Sequence, residues 1–299
     1  MPIEQRQHDA CRRGVDFFYG LPAASVVLVL IGSIGAQTAA VLVTDMLPTV
    51  GAPGVSGLRM AAAAVIMVLL FRPRLSGMTR ARVINIGVYG VAIGLMNVML
   101  YQAIARLPQG VAVTIDFLGP CVVSFLGLKM WCSRLWAIAA FVGVALIAQP
   151  SNDLDIVGVA FAAVGAAFFG IYTLFAARMG NAESGGMPDL ALSVVVAAFV
   201  LAPFAVSAAP HVHGSMWGTI VLSGFIGAVV PFVMDTIAAG IVSAAVVGTL
   251  FALDPVIGAI VGWAFSGDQI TCSMAAGIAL IAAAGAIITW RGAKESRVA

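Results

Sequence analysis

Ten apolar stretches, separated by polar, Gly or Pro punctuation, divide the chain near 22–43, 55–71, 83–105, 110–128, 133–149, 156–178, 189–208, 216–238, 244–265 and 270–290. Most are close to the ~20 residues an α-helix needs to cross a bilayer. They lack β-type alternation and are too long for barrel strands, whereas a helix satisfies its own backbone in lipid. The pattern predicts an all-α membrane protein of ten transmembrane helices. The polar start MPIEQRQHDACRRGVDFFYG precedes a run from Pro22 to Val43. That run is long for the apolar region of a cleaved signal and has no small-residue cleavage site, so it reads as the first transmembrane helix.

Composition agrees with this reading. Of 299 residues, 62% are hydrophobic and 9% charged, where soluble domains carry roughly 25% charge. Ten spans leave short loops and no room for a soluble catalytic domain. A net charge of +2 gives no footing for nucleic acid, and the bilayer is the expected partner. Cys11, Cys121, Cys132 and Cys272 are scattered, with no CxxC pair and no His at ligand spacing. No metal, cofactor or disulfide is expected, and these residues read as packing. His211 and His213 read as loop surface. HExxH and GxGD are absent, and no enzyme is expected.

Thirteen of the fifteen Lys and Arg fall on the N-terminal side of the predicted spans; Arg106 is on the other side and Arg59 is inside the second span. By the positive-inside rule both termini are cytoplasmic, which requires an even number of spans. Residues 1–21 and 291–299 are then cytoplasmic tails.

Shifting the chain by 135 residues lays the fourth span on the ninth. VAVTIDFLGPCVVSFLG (111–127) overlies VVGTLFALDPVIGAIVG (246–262), matching Thr114 to Thr249, Pro120 to Pro255 and Gly127 to Gly262. Further back, Met99 meets Met234 and Ala103 meets Ala238. With five helices in each half, 22–150 and 151–290, the second half enters the membrane inverted. Such repeats let a transporter open alternately around a midplane site. Each proline also removes a helix hydrogen bond and frees the carbonyl four residues earlier, at Asp116 and Phe251. A freed carbonyl needs protein or water, which makes Pro120 and Pro255 candidate hinges beside a cavity. Simple packing kinks are the alternative.

Four charges sit inside apolar runs: Arg59, Asp116, Asp235 and Asp254. Each costs roughly 2.5–3.5 kcal/mol at the centre of a lipid-facing helix, so they are expected to face the bundle interior. Asp254 lies roughly 15 Å along its span, near the midplane, directly before Pro255. Arg59 with one aspartate could hold the two charges of an amino acid. In the alternative accounts Arg59 snorkels, Asp254 caps the half-helix starting at Pro255, and Asp116 and Asp235 tie helices together. The remaining candidate lining is Gln37, Asn85, Tyr89, Asn97, Tyr101, Phe117, Phe168, Phe169 and Tyr172. A buried aspartate can carry a proton, which makes protons a candidate coupling ion. Gly90-Val-Ala-Ile-Gly94 and Gly258-Ala-Ile-Val-Gly262 are GxxxG patterns suited to seating neighbouring helices of one chain, and a monomer is expected.

The residues resemble the drug/metabolite transporter superfamily, in its bacterial branch that exports threonine, homoserine and aromatic amino acids. The likeness covers nearly the whole chain and is closest in VGAPGVSGLRM (50–60), YGVAIGLMNVMLYQAIARLPQGVAVTIDFLGP (89–120), GIYTLFAAR (170–178) and the segment 231–271. Members typically show Leu-Arg in the second span, an acidic residue before Gly-Pro in the fourth and Glu-Pro in the ninth; here these are Leu58-Arg59, Asp116 and Asp254-Pro255. Where relatives often have Glu this chain has Asp116, Asp235, Asp254 and Asp268, and Phe169 stands where many have Trp. The resemblance implies ten helices in two inverted five-helix repeats, a central cavity, and export of amino acids (threonine/homoserine, methionine or aromatic type) from a bacterial inner membrane. Efflux of other small metabolites or drugs by the same fold is the alternative.

Overall fold

The computed structural model describes residues 22–73, 78–107, 109–127, 131–148, 155–180, 186–242, 244–251 and 253–266, with isolated residues between 272 and 287. All regular structure among them is helical. Seven stretches are long and apolar enough to cross a membrane: Ala24–Thr44, Ala52–Phe71, Arg80–Ile104, Ile156–Ala176, Gly186–His211, Met216–Ile241 and Val246–Phe265. Most of the predicted span 270–290, and both predicted tails, lie outside the described residues.

In chain order the helices are α1 (Pro22–Thr44), α2 (Ala52–Phe71), α3 (Arg80–Ile104), α4 (Gln109–Asp116), α5 (Leu118–Gly127), α6 (Trp131–Ala148), α7 (Ile156–Gly180), α8 (Gly186–Ala208), α9 (Met216–Gly224), α10 (Val230–Ile241), α11 (Ala244–Leu250) and α12 (Leu253–Val261). A single helical turn, Leu47–Val50, links α1 to α2. Local sequence sets several ends. Gly51 takes a positive φ of 78° before Pro53 opens α2, using the glycine's freedom and the ring's fixed φ. Thr79 caps α3 by accepting the Arg82 backbone N–H at 3.3 Å.

The fourth and ninth predicted spans are both broken helices. α4 ends at Asp116 and α5 restarts at Leu118; α11 ends at Leu250 and α12 restarts at Leu253. The two restarts are 135 residues apart, the offset of the sequence repeat, and each lies two residues before its proline. A third irregularity, a wide π turn at Phe225–Val229, interrupts the eighth span between α9 and α10.

Packing between the halves occurs in matched pairs. α2 runs along α8, and the two broken helices meet through α5 with α11 and α4 with α12. α3 packs on α7 as α10 packs on α1, and α4–α5 packs on α7 as α12 packs on α1. Glycines make the closest approaches. A Cβ on Gly94 would sit 3.3 Å from the Ala197 Cα of α8, and one on Gly90 would collide with the Ser193 carbonyl. The GxxxG of α3 thus seats α8 within the chain. At the N-terminal ends of the same two helices, Arg82 Nε donates to both carboxylate oxygens of buried Asp189, at 2.9 and 3.0 Å.

The surface is apolar where a soluble protein would be polar: Phe199 is 76% exposed and Leu69 68%. Conversely, Arg59 is 2% exposed and Asp116 3%. A lipid-facing exterior around buried charge is the physical signature of a multi-pass membrane protein.

Adjacent turns of α3 test the helix seat. A Cβ on Gly90 would lie 2.6 Å from the Val196 Cβ, whereas one on Gly87 meets nothing within 4 Å. Gly90→Ala is expected to lower stability by about 1–3 kcal/mol, and Gly87→Ala to raise it by up to about 1 kcal/mol. Thermal unfolding in detergent checks this; a higher melting temperature for Gly90→Ala than for Gly87→Ala would refute the close seat.

Candidate functional site

The polar side chains predicted to face inward do so around one hollow. A cavity of about 90 Å³ is lined from seven of the helices and the π turn, room for roughly seven water-sized volumes. α1 contributes Gly32, Ser33, Ala36, Gln37 and Ala40, and α3 contributes Met96, Asn97, Leu100, Tyr101 and Ile104. Both sets follow the spacing of a single helix face. Arg59 comes from α2, Val113 and Asp116 from α4, Phe169 and Tyr172 from α7, and Asp254 from α12. Gly227 of the π turn and Pro231, Phe232 and Asp235 of α10 complete the wall.

Arg59 is held from two sides. Its Nη1 donates to the Tyr101 hydroxyl and its Nη2 to the Ser223 carbonyl at 3.2 Å, while the guanidinium lies 4.7 Å from the Tyr101 ring centroid. The π turn begins two residues after Ser223, and a Cβ on Gly227 would collide with Nη2. The widened turn and the missing side chain together make the guanidinium's berth. Arg59 has no carboxylate within salt-bridge distance among the described residues, and its buried Nε has no hydrogen-bond partner. The inward bonds rule out a snorkelling side chain.

The three aspartates differ in their partners. Asp235 accepts the Tyr172 hydroxyl at 2.9 Å, and Asp254 accepts the Ser33 hydroxyl. Asp116 is buried, and its Oδ1 has no hydrogen-bond partner. Nearby glycines leave room for these groups: a Cβ on Gly32 would sit 3.2 Å from Asp235 Oδ1, and one on Gly165 would sit 2.6 Å from Asp116 Oδ1. Gln109 Nε2 donates to Gln37 Oε1 at 2.8 Å, joining α4 to α1 at the end of the bundle where α3 finishes.

An aromatic layer closes the opposite side. Phe169 and Phe251 have ring centroids 5.3 Å apart. Tyr172 stacks on Tyr89 at 5.4 Å and meets Phe232 at 5.8 Å, and Phe175 continues the stack 6.4 Å from Tyr89. Phe251 lies at the break between α11 and α12, so that irregular backbone carries part of the layer.

Of the sequence-predicted lining, Gln37, Arg59, Asn97, Tyr101, Asp116, Phe169, Tyr172, Asp235 and Asp254 border the cavity. Tyr89 lies one layer away in the aromatic stack. Phe117 is in the core at the first helix break, and Phe168 packs against that core. Asn85 sits on the first turns of α3, away from the cavity lining. Pro120 and Pro255 lie inside α5 and α12, just past the breaks. Sequence reasoning missed Ser33, Ser223, Gln109 and the Arg82–Asp189 pair. Ser33 could have been found from its place one turn before Gln37, but a backbone carbonyl such as that of Ser223 leaves no residue-type signal.

Comparison with known proteins places this architecture. Residues 156–290 match the EamA-like transporter family. Over 280 residues the chain is 28% identical to the threonine/homoserine exporter RhtA of Escherichia coli (strain K12), spanning 91% of this chain and 94% of that protein. Over 251 residues it is 29% identical to RhtA of Salmonella typhimurium (strain LT2), spanning 82% and 84%. A solved crystal structure superposes with a TM-score of 0.68 at 15% identity, covering 91% of this chain and 98% of that one, a likeness of fold alone. The resemblance to the drug/metabolite transporter superfamily is borne out.

Tyr172→Phe removes the hydroxyl that Asp235 accepts. A bond to a charged acceptor is worth about 1.5–3 kcal/mol, so the variant is expected to melt several degrees lower in detergent. An unchanged melting temperature would show that this bond does not hold α7 to α10.

Proposed function

We propose that this chain is an inner-membrane exporter of small amino acids of the threonine/homoserine type, working by alternating access between two inverted five-helix halves with both termini cytoplasmic. The observation that carries the reading is Arg59, a buried cation on the cavity wall without a carboxylate partner among the described residues. An uncompensated buried charge is costly, and of its five N–H donors two make hydrogen bonds within the protein. A carboxylate-bearing solute would satisfy the rest. Aspartates on the other walls supply the complementary charge for an ammonium group.

Further observations support the same conclusion. The RhtA proteins, similar over nearly their whole length, are named for threonine and homoserine export. The matched packing of α3 on α7 and α10 on α1, with breaks at the same offset, supports the inverted repeat. On this reading the breaks at Phe117 and Phe251 are the hinges, because Pro120 and Pro255 each remove one helix hydrogen bond beside them, and backbone short of a bond bends at lower cost. The Lys and Arg distribution supports the orientation.

Counterflow in lipid vesicles with labelled threonine, homoserine, phenylalanine, a purine and a sugar tests the reading. Threonine and homoserine are expected to exchange, and exchange confined to the purine or sugar would refute amino-acid export. Arg59→Lys, which keeps the charge but loses the planar fork, is expected to reduce threonine exchange by roughly tenfold or more, since hydrogen bonds to charged groups contribute about 1.5–3 kcal/mol. Undiminished exchange by that variant would remove Arg59 from the substrate site.

A further inference from the structure

Three carboxylates border the cavity, and their surroundings are not equivalent. Asp235 has the Tyr172 hydroxyl and Asp254 has the Ser33 hydroxyl. The Oδ1 of Asp116 accepts no hydrogen bond from any described residue, although Asp116 is 3% exposed. It is the last residue of α4, so the carbonyl end of that helix points the same way. Pro120, four residues on, has no N–H to offer the Asp116 carbonyl. On the far side Gly165 of α7 keeps open the space the carboxylate occupies, since a Cβ there would meet Oδ1 at 2.6 Å. The fold makes room for this carboxylate and gives its Oδ1 no donor.

A buried carboxylate without donors is unfavourable until one arrives. Among the described residues no three His, Cys, Asp or Glu cluster to hold a metal ion. A primary ammonium, with three N–H donors, fits a site that offers a carboxylate and a backbone carbonyl together. Resting on the reading of the Arg59 cavity as an amino-acid site, we propose that Asp116 is the residue that recognises the substrate's ammonium group, while Asp235 and Asp254 hold the cavity walls through Tyr172 and Ser33. Selectivity for amino acids over the corresponding hydroxy acids then resides in Asp116, and Gly165 positions its carboxylate.

The test compares L-threonine with 2,3-dihydroxybutanoate, which carries a hydroxyl in place of the ammonium, in counterflow by the full-length protein in vesicles. The wild type is expected to prefer threonine. Asp116→Asn should lower threonine exchange by roughly tenfold to a hundredfold, the worth of a hydrogen bond to a charged group, and abolish the preference. Asp235→Asn and Asp254→Asn should slow both solutes and leave the preference in place. Gly165→Ala, which crowds the carboxylate without changing any charge, should weaken the preference; it decides the matter if Asp116→Asn does not reach the membrane. A preference retained in Asp116→Asn, or retained in full by Gly165→Ala when the former cannot be made, overturns the assignment and leaves amino-acid export standing. Equal exchange of both solutes by the wild type also overturns it. A wild type that exchanges neither solute overturns the functional reading and the assignment with it.

Discussion

A charge inside an oily chain must find a partner, water or a solute, and that requirement organises this structure. Lys, Arg, Asp and Glu make up 9% of the sequence, yet four of them lie within apolar stretches and converge on one hollow. Had Arg59, Asp116, Asp235 and Asp254 faced outward, each would have cost roughly 2.5–3.5 kcal/mol of insertion energy. Turned inward, they need a polar space, and the bundle provides it by placing glycines where side chains would otherwise fill it. Gly32, Gly165 and Gly227 each face a charged side chain at a distance a Cβ would crowd. Charge and vacancy are therefore two aspects of one design.

Backbone irregularity serves the same end. A helix in lipid keeps its hydrogen bonds because nothing else can satisfy them, so a break is tolerable only where protein or a polar cavity takes over. Asp116 ends α4 at the cavity wall, Asp254 lies in the first turn of α12, and the π turn borders Arg59. Each of these three irregular places thus adjoins a cavity charge, whereas the π turn at Gly262–Ser266, at the end of the ninth span, does not border the hollow. The mechanical weak points and the charged groups coincide, so a solute that neutralises a charge acts directly on the backbone able to bend.

Much of this was legible in the sequence because the bilayer leaves few choices. Apolar length predicted the helices, and the described ones fall within a few residues of the expected bounds. Prolines at one offset marked as candidate hinges the two places where the helices break, because a missing N–H acts within its own helix. Nine of the thirteen side chains named as cavity lining border the hollow, since buried charge and amide groups have few other places to lie. What the sequence did not reveal depends on neighbours distant along the chain. Nothing local distinguishes Tyr89, stacked behind the cavity, from Tyr101, beside the guanidinium; the difference is which helix lies opposite. Likewise Arg82 reads as one more basic residue at a span end until α8 brings Asp189 against it. The π turn had only Pro231 as a sign, and a proline there does not by itself specify which carbonyl will accept an arginine.

On the alternating-access reading, the two ends of the bundle differ in the junctions that would close them. Where α3 and α8 begin, Arg82 makes a charge-assisted pair with buried Asp189, and the aromatic layer from Phe169 to Phe175 lies between that pair and the cavity. Toward the end where α3 finishes, the corresponding junction is the neutral Gln109–Gln37 bond. Charge-assisted pairs are roughly twice as strong as neutral ones, and stacked rings add about 0.5–1.5 kcal/mol per pair beyond burial. The repeat offers no second copy of the ion pair, because a shift of 135 residues takes Arg82 to Trp217, and the same shift back takes Asp189 to Gly54. On the alternating-access reading the two halves share a backbone plan but not a latch. The Arg82 end would then be held more firmly than the other, and bias between the two states would lie in these unmatched side chains rather than in the matched helices.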